Sequence, residues 1–129
     1  MPSLPITSIL VGLAAILLVL LSVPISLRRQ GARIAHGDGG DPDLMRRVRA
    51  HGNFIEYAPL GLLAVALVEL CGYQPAVVWG VGGGLLAGRA LHALGTYARS
   101  TPGRAVGVTL TWLALLAAGG LLLFGKLGG

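Results

Sequence analysis

Arg46-Arg47-Val48-Arg49-Ala50-His51-Gly52-Asn53-Phe54-Ile55-Glu56-Tyr57-Ala58-Pro59 decides how this chain folds, because it places charges and an amide in what otherwise reads as an apolar, membrane-spanning helix. On a helix each residue advances by about 100°. With Arg49 as origin, Arg46, Asn53, Glu56 and Leu60 fall within about 60° of it and Tyr57 lies at about 80°. Arg46, Arg49, Asn53 and Glu56 therefore share one polar stripe. His51 and Glu69 fall on the opposite side, and Phe54, Ile55, Leu62 and Leu63 surround the stripe with apolar surface. Lipid offers such a stripe no partner, so it must face protein, ligand or water.

The composition supports a membrane setting. With 129 residues, 54% hydrophobic and 12% charged, the chain is too apolar for an ordinary solvated domain. A net charge of +5 raises the question of nucleic acid. The basic residues, however, flank apolar spans without interleaved aromatics, which fits a membrane surface and no nucleic-acid partner. The single cysteine, Cys71, excludes a disulfide or a thiolate metal cluster within the chain and reads as a small apolar residue.

Residues 4–27 form an uncharged first span, long enough to cross a hydrocarbon core of about 30 Å. Arg28, Arg29 and Arg33 follow it rather than precede it, unlike the charges of a secretory signal, so the span is expected to stay attached. Gln30 to Asp43 reads as an ordered loop. Asp38, Asp41 and Asp43 lack the alternating spacing and closing glutamate of a calcium loop, so turn and capping chemistry is expected and no metal. Asp41 as N-cap and Pro42 at the first helical position open the second helix. Its span covers about 44–71, with Pro59 able to kink it and Glu69 reaching interfacial water at the far end.

Cys71-Gly72-Tyr73-Gln74-Pro75 is a turn, and the third span covers about 76–98. Gly80, Gly84 and Gly88 give it a bare face for close helix packing. His92 continues that row and is expected to make an interhelical hydrogen bond. Arg89, Thr96, Tyr97 and Arg99 make the end of this helix polar. Thr101 as N-cap and Pro102 at the first helical position put Arg104 in the first turn of a fourth span at about 104–125, which Lys126 ends. Both inter-span connections on one side are arginine-rich, against Lys126 alone on the other. The positive-inside rule then predicts an all-α, four-transmembrane-helix bundle with both termini outside.

Arg28 or Arg29, Arg49, Asn53, Glu56, Tyr57, His92, Tyr97 and Arg104 are thereby expected to converge at the cytoplasmic membrane edge. Several arginines, a carboxylate, an amide and phenols suit a small zwitterionic anion: arginines pair with carboxylates, and Glu56 can take an ammonium group. The same residues could instead form an internal network that pins helices together without a ligand.

Arg49-x-x-x-Asn53-x-x-Glu56-Tyr57-x-Pro59 resembles the signature of the MAPEG family, the membrane-associated proteins of eicosanoid and glutathione metabolism. Gly95-Thr96-Tyr97-Ala98-Arg99-Ser100 with Arg104 is similar to that family's junction of third and fourth helices. The run Gly37-Asp38-Gly39-Gly40 is similar to the first loop of its short bacterial members. The resemblance implies a homotrimer in the bacterial inner membrane, with glutathione as co-substrate between subunits near the cytoplasmic face. It implies glutathione contacts from Arg49, Asn53, Glu56, Tyr57, Tyr97 and Arg28 or Arg29, and a thiol-activating role for Arg104. A guanidinium beside a thiol stabilises the thiolate, the nucleophilic form. His51 and Ala93 differ from the eicosanoid branch, which argues against a long lipid substrate.

The reading expected is a glutathione-dependent transferase, with peroxidase activity as an extension, acting on small hydrophobic electrophiles. The alternative is a non-catalytic scaffold or ligand-binding protein of the same fold. A small transporter is disfavoured, because no span is paired or interrupted.

Overall fold

The computed structural model describes residues 1–125. Among them the chain is all-helical: α1 (Pro5–Ala32), α2 (Pro42–Leu70), α3 (Pro75–Tyr97) and α4 (Thr101–Phe124). All four helices are long and apolar enough to cross a membrane. Lys126 lies outside the described residues.

The helix boundaries follow from local chemistry. Asp41 caps α2 as expected, its Oδ1 accepting from the N–H groups of Asp43 at 3.0 Å and Leu44 at 3.3 Å. α2 then runs unbroken through Pro59. α1 continues to Ala32 instead of ending at Leu27, so Arg28 and Arg29 are helical and Gln30 does not begin a loop. Arginine and glutamine are good helix formers, and the helix stops only where Arg33 turns left-handed at φ 55°. α4 is capped by Ser100 rather than Thr101, through a 3.0 Å bond from the Gly103 N–H to the Ser100 hydroxyl. Arg99, at φ 56°, turns the chain one residue early and puts Ser100 in the extended conformation an N-cap needs.

The glycine row packs α3 on α4, as its spacing predicted, over part of its length. A Cβ on Gly88 would lie 2.6 Å from Thr111 Oγ1 and 2.7 Å from the Gly107 carbonyl oxygen. One on Gly95 would lie 2.6 Å from the Arg104 backbone nitrogen. Close approach ends there. Ala114 stands 4.0 Å from a Cβ on Gly84, and nothing lies within 4 Å of one on Gly80. The two helices diverge toward that end around an apolar groove lined by Gly80, Gly84, Leu113, Ala117 and Phe124.

Two apolar clusters hold the bundle. Leu10, Val65, Val68, Val78, Leu85 and Ala118 pack toward the end that carries the termini. Leu21, Ala50, Phe54, Ala58 and Ala93 pack toward the other. Leu13, Leu60, Leu63, Leu113 and Leu116 remain exposed, an apolar exterior that suits lipid.

Side-chain caps close both ends. Glu69 does not simply reach for water: Oε1 accepts from the Ile6 N–H at 2.9 Å and Oε2 from the Thr7 N–H at 2.8 Å. The N-cap residue of α1, Leu4, makes no side-chain cap bond, so a carboxylate from α2 does that work across the bundle. At the opposite end the α1–α2 connection is a web of turns and ion pairs. Asp38 accepts from the Gly40 N–H at 2.9 Å. Arg28 pairs with Asp41 at 2.7 Å, and Arg47 with Asp43 at 3.0 Å. Desolvation works against the Asp41 charge but is outweighed by the Leu44 N–H, Arg28 and the Asp43 N–H, which hold the carboxyl below its ordinary value.

Candidate functional site

Where α2, α3 and the start of α4 meet, Arg49, Asn53, Glu56, His92, Thr96 and Arg104 line a cavity of about 340 Å³. Helical spacing accounts for the set. Residues three and four apart share a face, which aligns Arg49, Asn53 and Glu56 on α2 and His92 with Thr96 on α3. Arg104 joins them because Gly95, lacking a side chain, lets the first turn of α4 lie against α3.

Most of the charged groups lining this cavity are unpartnered. Arg49 and Glu56 make no hydrogen bond or ion pair among the described residues. Among the described residues the Arg104 side chain donates only to Thr101 Oγ1, at 3.3 Å. The interhelical hydrogen bond expected of His92 is not made. Among the described residues its imidazole makes no hydrogen bond, while its carbonyl accepts from the Thr96 hydroxyl at 2.9 Å.

Asn53 is held differently. Its side-chain Oδ1 and, at 3.2 Å, its backbone carbonyl both accept from Arg89 Nη1. Arg89 is 1% exposed, donates from Nε to Thr111 Oγ1 at 2.9 Å, and lies 4.6 Å above the Tyr57 ring. The guanidinium thus ties α2, α3 and α4 together at one point. From the sequence, Arg89 was only part of a polar helix end. The available signal was its position inside the third span next to Gly88, where a cation must be buried against partners. With Oδ1 fixed by Arg89, Asn53 has its Nδ2 hydrogens to offer the cavity.

The remaining nominated residues lie elsewhere. Tyr57 stacks under Arg89, and its hydroxyl accepts from Trp112 Nε1 at 3.3 Å. Tyr97 packs against the Leu21–Phe54 cluster with its hydroxyl buried and without a hydrogen-bond partner among the described residues. Arg28 is paired with Asp41 and Asp43, and Arg29 donates to the Gly37 carbonyl at 2.6 Å. Neither arginine lines the cavity.

Chemically, the cavity offers guanidinium groups to anionic oxygens, a carboxylate to a cation, and an amide and an imidazole for orientation. A guanidinium held where a thiol could sit would favour the thiolate.

The MAPEG family model matches residues 7–124. Inner membrane protein YecN of Escherichia coli strain K12 is 38% identical over 104 residues, covering 81% of this chain and 79% of the relative. The same values hold for YecN of Escherichia coli O6:H1 strain CFT073: 38% identity over 104 residues, 81% and 79% coverage. No solved structure matches.

Proposed function

The chain belongs to the MAPEG family, and from that premise we propose that it is a membrane-bound glutathione-dependent transferase acting on small hydrophobic electrophiles. One observation carries the reading: Arg49, Glu56 and Arg104 line a single cavity without neutralising one another. A network that served only to pin helices would pair these groups with one another across the helices; here all three are exposed and left open to a ligand.

Glutathione has carboxylates at both ends, an ammonium group and a central thiol. Arg49 and the Asn53 amide bind a carboxylate, and Glu56 takes the ammonium. Arg104 stabilises the sulfur as thiolate, the thiol proton passing to water. The thiolate attacks an electrophilic carbon, a carbon–sulfur bond forms, and the leaving group departs with its electron pair. Tyr57 contributes indirectly, by supporting the arginine that orients Asn53.

Arg49 and Glu56 are exposed in a single chain. That exposure leaves the face open for a second copy to close, which supports the expected homotrimer with the site between neighbours. The arginine-rich connections put this end in the cytoplasm by the positive-inside rule. Similarity to the inner membrane protein YecN supports an inner-membrane location.

The test is the ultraviolet thiolate absorbance of glutathione titrated into purified, detergent-solubilised protein, alongside Arg104→Ala and Glu56→Gln. A thiolate signal that Arg104→Ala removes while binding persists supports the transferase. Absence of glutathione binding overturns it. The Arg89 anchor favours a second reading, a ligand-binding scaffold of the same fold. Binding with no thiolate signal would select it.

A further inference from the structure

Beside the cavity just described lies another of about 460 Å³, lined by Arg46, Arg49, Arg99 and Arg104 with Pro42 and Met45 at its edge. The guanidinium groups there greatly outnumber their counter-ions. Arg46 meets Asp43 at 3.3 Å, but the same carboxylate also serves Arg47 and Arg28. The side chains of Arg49 and Arg99 make no hydrogen bond or ion pair among the described residues, and Arg104 has only the Thr101 hydroxyl at 3.3 Å. The helix starts nearby add positive potential but few free donors, since Asp41 and Ser100 already hold the first amides of α2 and α4. Recognition therefore falls to the arginines. Several planar forks around one space match the oxygens of a phosphate better than a single carboxylate.

We propose that this cavity binds the phosphate of an acidic phospholipid headgroup. The lipid is favoured over a soluble phosphate by the rim. Met45, 46% exposed, and the exposed Pro42 give the arginines apolar neighbours in the first turn of α2, about one turn before its apolar stretch begins. A charged head beside an apolar edge suits an amphiphile, and basic pockets between transmembrane helices recognise anionic headgroups in this way. Arg49 and Arg104 line both cavities, while Arg46 and Arg99 line this one alone, so substitutions at Arg46 and Arg99 test it apart from the deeper site.

The experiment uses the full chain, purified and stripped of lipid in a neutral detergent. It is titrated with phosphatidylglycerol, phosphatidylcholine or inorganic phosphate, reading retained lipid by native mass spectrometry and protection by thermal shift. Phosphatidylglycerol should bind at least tenfold more tightly than phosphatidylcholine. Arg46→Gln with Arg99→Gln should weaken it about 30-fold, the effect of removing two surface charges. Arg99→Gln alone breaks no contact in the fold and should still weaken it several-fold, while Arg33→Gln, outside the cavity, should leave it unchanged. Equal affinity for the two lipids, or a preference that survives both arginine variants, overturns the proposal. Equal protection by inorganic phosphate at the same concentration overturns the lipid source and assigns the cavity to a soluble phosphate. The inference does not rest on glutathione: a chain that retained phosphatidylglycerol but bound no glutathione would fail the transferase reading alone.

Discussion

α2 carries a carboxylate near its far end and another near its middle, and the two are treated in opposite ways. Glu69 accepts two backbone N–H groups, at 2.9 and 2.8 Å, and caps a helix that has no side-chain cap of its own. Glu56 accepts nothing among the described residues and opens into a cavity shared with Arg49 and Arg104. The arginines divide in the same way. Arg89 is buried and joins three helices, while Arg49 stays exposed and makes no ion pair among the described residues. In a bundle this apolar, neither the presence nor the depth of a charge separates structure from chemistry. Whether the fold has already supplied its partners does.

That division can be broken most forcefully at Arg89. Arg89→Leu leaves the Asn53 carbonyl and amide oxygens and the Thr111 hydroxyl facing an apolar side chain. The expected cost is about 3 kcal/mol, read as a lowered thermal midpoint in detergent. Arg89→Lys should recover little of it, because one ammonium group cannot span α2 and α4 as the guanidinium does. A midpoint equal to that of the wild type would remove Arg89 from the structural class. Glu69→Ala comes next. It uncaps α1 and should cost about 2 kcal/mol, the upper range for a lost cap with its dipole interaction. Glutathione binding should not change, which distinguishes Glu69 from Glu56.

The sequence made legible what depends on local periodicity. Four spans, the Asp41 cap of α2, and the common face of Arg49, Asn53 and Glu56 all follow from spacing along one helix. Partners chosen across helices were not legible. Nothing local to Glu69 points to Ile6 and Thr7, some 60 residues earlier in the chain. Nothing near Arg89 says that Thr111 on α4 will stand opposite. Arg28 or Arg29 was expected among the converging site residues because the pattern of charge does not show that Asp41, Asp43 and the Gly37 carbonyl will fold back onto them. Ser100 and Thr101 are both capping residues, and only the left-handed turn at Arg99 decides between them.

Glu56→Gln sharpens the comparison from the other side. Its carboxylate makes no hydrogen bond or ion pair among the described residues and attracts buried Arg89 only at longer range, so stability should fall by no more than about 1 kcal/mol. On the transferase reading, glutathione affinity should fall about tenfold with loss of the ammonium contact, equivalent to about 1.4 kcal/mol. Calorimetric titration measures both wild type and variant. A variant that unfolded early and bound glutathione normally would reverse the assignments of Glu56 and Glu69.

The smallest effect is expected where a carboxylate is paired but close to water. Asp41 both caps α2 and pairs with Arg28, with its carboxyl held below the ordinary 3.8. A folded-state value below the unfolded one means stability that is present above the unfolded value and is lost as the pH falls through the folded one. Asp41→Asn separates the two roles, because asparagine is as good an N-cap as aspartate but carries no charge. The variant should be modestly less stable than the wild type at neutral pH and converge on it as the pH drops below about 4. Thermal midpoints followed from about pH 6 to pH 3 would show it. Solvent screening of Arg28 keeps the difference small. A difference that held constant across that range would leave Asp41 as a cap alone, with no contribution from its charge.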